Sequence, residues 1–216
     1  MFRGGMQRKQ FVWMAAVALL AAATLSAQSP KGWKLRADNS ARASDPDGAG
    51  AIKFFEEKGG FHATNPQAAT YWNPANTTAG NYSLKGTFSV LRPTSHAEFF
   101  GLMFGGSDLE GARQSYLYFM VSGDGNWLLK RRMGNDTENV AGPTANSAVK
   151  RPDASGKSTN VLEVRVRADK IEYVVNGTVV HTTLKSGKTS KTDGIYGFRV
   201  NHLLEVQVAG FALSKL

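Results

Sequence analysis

Over residues 161–168, Leu162, Val164 and Val166 alternate with Glu163, Arg165 and Arg167. A period of two sends one set of side chains into a core and the other into water, the mark of a half-buried strand. Residues 170–175 and 178–183 are also rich in strand formers, and Asn176-Gly177 stands between them. A two-residue turn joining antiparallel strands needs positive φ at both central positions, which Asn and Gly tolerate, so these segments are predicted to pair as a hairpin. Residues 81–91 place Tyr82, Leu84, Phe88 and Val90 on one face. Residues 98–105 are apolar on both faces, as expected of a strand in the middle of a sheet. Residues 115–121 and 126–133 flank Ser122-Gly123-Asp124-Gly125 and form a second predicted hairpin. Two last strands, residues 195–201 and 203–213, close the pattern, and Gly210 shifts the phase of the second as a bulge would. Residues 38–50 and 143–157 are polar and rich in turn formers, so they are read as surface loops. The pattern predicts an all-β domain built as an antiparallel sandwich, with no helix after residue 27.

The start of the chain is patterned differently. Arg3, Arg8 and Lys9 precede an apolar run over residues 11–23, and Leu25-Ser26-Ala27 supplies small residues. This is the layout of a cleavable secretory signal, with an apolar run too short for a comfortable membrane span. The expected organisation is a signal peptide over residues 1–27 and one domain over residues 28–216. A secreted or bacterial periplasmic location follows, with no membrane span after cleavage. Removing Arg3, Arg8 and Lys9 takes the formal net charge from +9 to +6. The remaining Lys and Arg are scattered, which argues against nucleic acid while leaving acidic polysaccharides attractive by long-range charge. The chain has no Cys, so an exported domain of this length must rest on its hydrophobic core alone.

The second half of the chain resembles the concanavalin A-like lectin/glucanase superfamily, including laminin-G-like modules. Within it the resemblance is nearest to bacterial exported domains of the 3-keto-disaccharide hydrolase-like group. The residues that carry it are Asn160-Val161-Leu162-Glu163-Val164-Arg165-Val166, the strand from Ile171 into Asn176-Gly177, Asp193-Gly194-Ile195-Tyr196-Gly197-Phe198, and the closing strand through Phe211-Ala212-Leu213. Gly32-Trp33-Lys34 and Gly80-Asn81-Tyr82-Ser83-Leu84 are weaker counterparts nearer the N-terminus. The resemblance implies a two-sheet jelly roll whose face meets poly- or oligosaccharide. It also implies a polar, His-containing turn between the last two strands, here Arg199, Asn201 and His202.

The chemistry of a site has to be argued from residues, because fold alone does not carry function. No strand carries the alternating carboxylates that a retaining glucanase needs about 5–5.5 Å apart. Glu163 and Glu172 oppose apolar faces and are expected to face solvent. No Gly-x-Ser-x-Gly elbow is present, and Gly156-Lys157-Ser158 and Gly187-Lys188-Thr189 lack the upstream Gly of a phosphate loop. His62, His96, His181 and His202 are isolated in sequence, and no metal or other cofactor is expected. Asp45-Pro46-Asp47-Gly48 offers oxygens to Ca²⁺, but it is also an ordinary turn, which is the preferred reading. His202 is the one candidate acid, base or sugar hydrogen-bonder, against a plain role as a turn residue.

Sugars stack their CH-rich faces on rings and pair their hydroxyls with polar side chains. The candidate ligand contacts are therefore Tyr71, Trp72, Tyr118, Arg131, Arg199, Asn201 and His202. Core packing is the alternative for each aromatic residue, and the favoured one for Trp127. The expected function is non-catalytic carbohydrate binding. The alternatives are a hydrolase or lyase acting on 3-keto sugars, or a structural envelope module whose protein partner the sequence does not name.

Overall fold

A computed structural model describes residues 29–40, 42–92 and 94–216, together with Met1. The rest of the expected signal peptide and its cleavage point lie outside the described residues. Strands β1 (Lys34–Asp38), β2 (Lys53–Glu57), β3 (Gly60–Asn65), β4 (Ala68–Thr78) and β5 (Tyr82–Val90) come first. Next are β6 (Phe99–Ser107), β7 (Ser115–Ser122), β8 (Asn126–Met133), β9 (Asp136–Ala145) and β10 (Ser158–Val166). Last come β11 (Lys170–Val175), β12 (Thr178–Leu184), β13 (Gly194–Val200) and β14 (Leu204–Lys215). They build two antiparallel seven-stranded sheets, in the orders β1-β4-β13-β6-β7-β8-β9 and β12-β11-β10-β5-β14-β3-β2. No helix among the described residues is long and apolar enough to cross a membrane.

The core lies between the sheets and follows the period-two pattern. Leu162, Val164 and Val166 of β10 and Tyr82, Leu84 and Phe88 of β5 are all inaccessible to solvent. Across from them the first sheet contributes Phe100, Leu102, Phe104, Leu117, Phe119, Val121 and Phe198. Phe198 is the hub of an aromatic cluster, with ring centroids at 5.0 Å from Tyr71, 5.5 Å from Trp33, 5.7 Å from Phe211 and 5.8 Å from Phe61. Rings at these separations and tilts add to the area that they bury. On the far side of the second sheet, Glu163 pairs with Arg165 at 2.8 Å and Glu172 with Lys170 at 2.8 Å, on the partly solvated face expected of both.

The predicted turns are present. Asn176 and Gly177 have φ of 49° and 86°, the pair of positive angles that a primed hairpin needs. The Asn176 side chain also accepts from the Val161 amide at 2.9 Å and donates to the Ala148 carbonyl at 2.8 Å, tying the hairpin to the loop that precedes β10. The register of β14 on β5 shifts between Ala209 and Ala212, which places the bulge at Gly210. The segment read as a loop over residues 143–157 begins inside β9, and only its remainder is irregular.

The first sheet is buried on both faces, which the pattern only hinted at. Its outer face, turned away from the second sheet, carries Trp72, Met103, Tyr116, Tyr118, Met120 and Leu128, each at most 3% exposed. The connection from β6 to β7 lies over part of this face. Leu109 packs against it, and Arg36 of β1 donates to the carbonyls of Leu109 and Gly111 at 3.2 and 2.7 Å. Lys34 adds an ion pair to Glu110 at 2.7 Å. The other end of the outer face stays open and forms a cleft.

Phe198→Ala removes the hub of the aromatic cluster and should destabilise the fold by about 3–5 kcal/mol, the range for an aromatic core truncation. Urea denaturation of the variant against the wild type measures this. A loss below about 1 kcal/mol would show that the cluster repacks freely.

Candidate functional site

The open cleft has a volume of about 510 Å³ and lies where β1, β8 and β13 end, beside Asn39, Ser40, Arg42, Asp45 and Asp47. That volume falls in the usual range for small-molecule sites. Its lining is mostly polar and charged, with no Trp, Tyr or Phe among the described residues that form it. Period-two alternation explains the charges. Lys130 and Arg132 share the outward set of β8 with Leu128, while Leu129 and Trp127 point into the core.

One half of the cleft is cationic. Asp38, the last residue of β1, is held between Arg199 Nη1 at 2.6 Å and the guanidinium of Arg132. Arg199 Nη1 also donates to Thr70 Oγ1 at 3.0 Å and to the Tyr116 hydroxyl at 3.3 Å. Its guanidinium carbon lies 5.5 Å from the centre of the Tyr118 ring, within reach of a cation–π contact. Burial raises the Asp38 pKa, but the charges and hydrogen bonds of Arg199 and Arg132 outweigh it and hold the carboxyl below its usual value. Burial is also the main cause that pushes the Tyr118 hydroxyl up to about 12. Lys130 is pulled below the usual lysine value by its own desolvation and then by the nearby charges of Arg199 and Arg42. With Arg42 also in the lining, four cations meet a single carboxylate in this half.

The other half is acidic and holds histidine. His202 lies in the turn between β13 and β14, next to Leu203, whose φ is 56°. It is only 5% exposed. Its Nδ1 stands 3.0 Å from Asp47 Oδ1. Its Nε2 stands 3.1 Å from Glu98 Oε1 and 3.3 Å from Asp45 Oδ1. Each neighbour is itself fixed. Asp47 Oδ2 accepts from the Ser40 amide at 2.8 Å, Glu98 Oε2 accepts from Asn201 Nδ2 at 2.9 Å, and the Asp45 carbonyl accepts from Ser40 Oγ at 2.7 Å. Desolvation works against a charged His202, yet Asp47, Glu98 and Asp45 together raise its pKa. His96, from the segment leading into β6, brings Nε2 to the same two carboxylates, 3.0 Å from Glu98 and 3.2 Å from Asp45.

The candidate residues divide sharply. Arg199, Asn201 and His202 line the cleft together. Tyr118 lies beneath it, with its ring covered by Arg199 and only 3% exposed. Tyr71 and Trp72 lie in β4, between β1 and β13. Tyr71 is fully buried in the inter-sheet core, where its hydroxyl donates to Asn65 Oδ1 at 2.6 Å. Trp72 packs on the outer face among Met103 and Leu109 and is 2% exposed. As placed, neither ring offers a surface to an external sugar. Arg131 alternates with Lys130 and Arg132 and so falls on the opposite face from the cleft. Trp127 is core, as favoured, and His181 stacks on it at 4.8 Å. Sequence reasoning missed Asp38, Arg132, Glu98 and the engagement of Asp45, Asp47 and His96. The His96-Ala97-Glu98 triplet was the available signal, since residues two apart on extended backbone share a side.

Comparison with known proteins places the fold. No protein-family model matches the chain, and no curated protein matches it. Among solved structures, the carbohydrate-binding module CBM66 from Bacillus subtilis superposes with a TM-score of 0.62 at 9% identity, over 85% of this chain and 96% of that one. A Bacillus subtilis protein of unknown function with a galectin-like fold gives 0.57 at 15% identity, over 86% and 90%. A Bacteroides ovatus GH16 protein from a mixed-linkage glucan locus gives 0.54 at 7% identity, over 84% and 94%. These likenesses show the fold alone, the two-sheet jelly roll that the sequence resemblance implies.

Asp38→Asn should leave the Arg199 and Arg132 cations without their shared counter-charge and destabilise the fold by about 3–5 kcal/mol at neutral pH. The folded pKa of Asp38 is depressed, so its contribution is full above the unfolded value of about 3.9 and fades as pH falls through the folded value. Denaturant midpoints across the acid range should therefore converge for wild type and variant as pH drops. Parallel curves would contradict the assignment.

Proposed function

We propose that this is an exported carbohydrate-binding module that holds an anionic sugar in the outer-face cleft. The observation that carries the reading is the cationic half of the cleft, with Lys130, Arg132, Arg199 and Arg42 around the one carboxylate of Asp38. A lining without exposed rings is poorly suited to stacking on a neutral glucan chain. Guanidinium and ammonium groups suit carboxylate or sulfate substituents and the hydroxyls beside them. The sandwich neighbours lend support by analogy, since they include a carbohydrate-binding module and an alginate lyase, A1-II′, with a TM-score of 0.52 at 13% identity. The positive net charge of the chain would draw such a polymer from a distance.

A second reading, turnover of a 3-keto sugar by a hydrolase or lyase route, is favoured by one feature. His202 faces the cleft with Asp47 on its far nitrogen, the arrangement that orients a histidine for proton transfer. It predicts product release from 3-keto-glycosides by the wild type and none by His202→Ala. An inert wild type removes it.

Calorimetric titration of the domain with oligo-uronides and with neutral oligosaccharides of equal length tests the leading reading. Oligo-uronides should bind at least about tenfold more tightly, with an affinity that falls as salt is raised. Lys130→Ala should weaken binding about tenfold without altering stability, because its side chain only lines the cleft. Equal affinity for neutral and acidic sugars, or no affinity for either, would overturn the proposal.

A further inference from the structure

We propose that Asp45, His96, Glu98 and His202 form a binding site for a divalent transition-metal ion of the Zn²⁺ class at the acidic end of the cleft. The four residues come from three separate parts of the fold: the loop after β1, the segment entering β6, and the β13–β14 turn. Their donor atoms nevertheless all lie within 4.8 Å of one another. Nitrogen and oxygen alternate around the group. His202 Nε2 is 3.1 Å from Glu98 Oε1 and 3.3 Å from Asp45 Oδ1, and His96 Nε2 is 3.0 and 3.2 Å from the same two oxygens.

Two features distinguish this from an ordinary pair of histidine salt bridges. The first is convergence. Both Nε2 atoms hydrogen-bond the same oxygen, Glu98 Oε1, at 3.1 and 3.0 Å, and both also have Asp45 Oδ1 close by at 3.3 and 3.2 Å. Four donors from three parts of the fold thus meet in one small space. Metal–nitrogen and metal–oxygen bonds of about 2.0–2.2 Å, with angles between about 90° and 109°, put neighbouring donors roughly 3.0–3.5 Å apart. The four contacts match that spacing. The second feature is the set of groups behind the ligands. Asp47 stands on Nδ1 of His202, so an Nδ1–H donated to it leaves the Nε2 lone pair directed at the centre of the group. Ser95 Oγ stands 3.1 Å from His96 Nδ1, and Asn201 holds the second oxygen of Glu98. Carboxylate–histidine pairs of this kind orient metal ligands and raise their basicity.

Charge favours the same occupant. Asp45, Asp47 and Glu98 bring three carboxylates to one small volume, and Asp45 and Glu98 aim at the same point. A dication relieves that repulsion. Two imidazoles among the donors select a transition ion over Ca²⁺ or Mg²⁺, which take oxygen shells. The Asp45-Pro46-Asp47-Gly48 turn thus supplies one ligand and one orienting carboxylate instead of a calcium loop. The His96 side chain is 42% exposed, which gives the ion a way in. Asp45, Glu98 and His202 line the cleft, so a bound ion would adjoin the sugar site without depending on it.

The test uses tag-free domain, stripped with chelator and titrated with Zn²⁺ by calorimetry, with metal content read by mass spectrometry. One Zn²⁺ per chain is expected, with Ca²⁺ at least about 100-fold weaker. His96→Ala decides the matter, because a half-exposed side chain can be removed while the circular dichroism spectrum stays native. It should weaken Zn²⁺ binding at least about 100-fold, and Asp47→Asn should weaken it about 10–100-fold by loosening the orientation of His202. Zn²⁺ should raise the melting temperature of the wild type, reversibly with chelator, and not that of His96→Ala. Absence of stoichiometric binding, or Zn²⁺ affinity unchanged in His96→Ala, would overturn the site.

Discussion

Burial of the first sheet on both of its faces is the constraint from which the rest of the molecule follows. Along β7, Leu117, Phe119 and Val121 fill the space between the sheets, while Tyr116, Tyr118 and Met120 fill the outer face. A strand buried on both sides can only lie beneath further structure, and the β6–β7 connection supplies it at one end. At the other end the outer face carries charge instead of a lid. Buried guanidinium groups must be paired, and Asp38 between Arg199 and Arg132 meets that need. The cleft exists because this ion triad takes the place that apolar packing occupies elsewhere on the same face.

The two halves of the cleft are electrostatic opposites set side by side. Four cations around Asp38 face three carboxylates around His202. The residues at the corners of the cleft are tied to main-chain groups or to one another. Asp47 and Asp45 are both anchored through Ser40, and Glu98 through Asn201. Such anchoring holds the donor groups in place before any ligand arrives, which is what lets a small site bind well.

Much of the fold was legible because one-sided burial writes itself into alternation. The β10 to β12 region, the Asn176-Gly177 turn and the bulge at Gly210 all follow from local pattern. β4 was not legible for the opposite reason. Tyr71 and Trp72 are adjacent and both buried, on opposite faces, so no polar position marks a period, and Pro74 interrupts the run of strand formers. The site was legible only at the β13–β14 turn, where Arg199, Asn201 and His202 are close in sequence. The remaining members are brought together by topology. Asp38 lies 161 residues from Arg199, Asp47 lies 155 residues from His202, and Glu98 lies 104 residues from His202. Beyond the His96-Ala97-Glu98 spacing and the Asp45-Pro46-Asp47-Gly48 turn, nothing local distinguishes them from surface charges. The rings beneath the cleft are packed away from solvent, whereas the side chains that line it are mostly ionic or polar.

A crystal structure of the domain grown with Zn²⁺ and a short oligo-uronide, with data collected at the zinc absorption edge, addresses the central claim most directly. The account predicts one anomalous peak between His96 Nε2 and His202 Nε2, and sugar density beside Lys130 with an acidic substituent toward the cationic half. Zinc scattered over surface histidines such as His62, or sugar seated on the far face of the second sheet near Glu163 and Glu172, would contradict it.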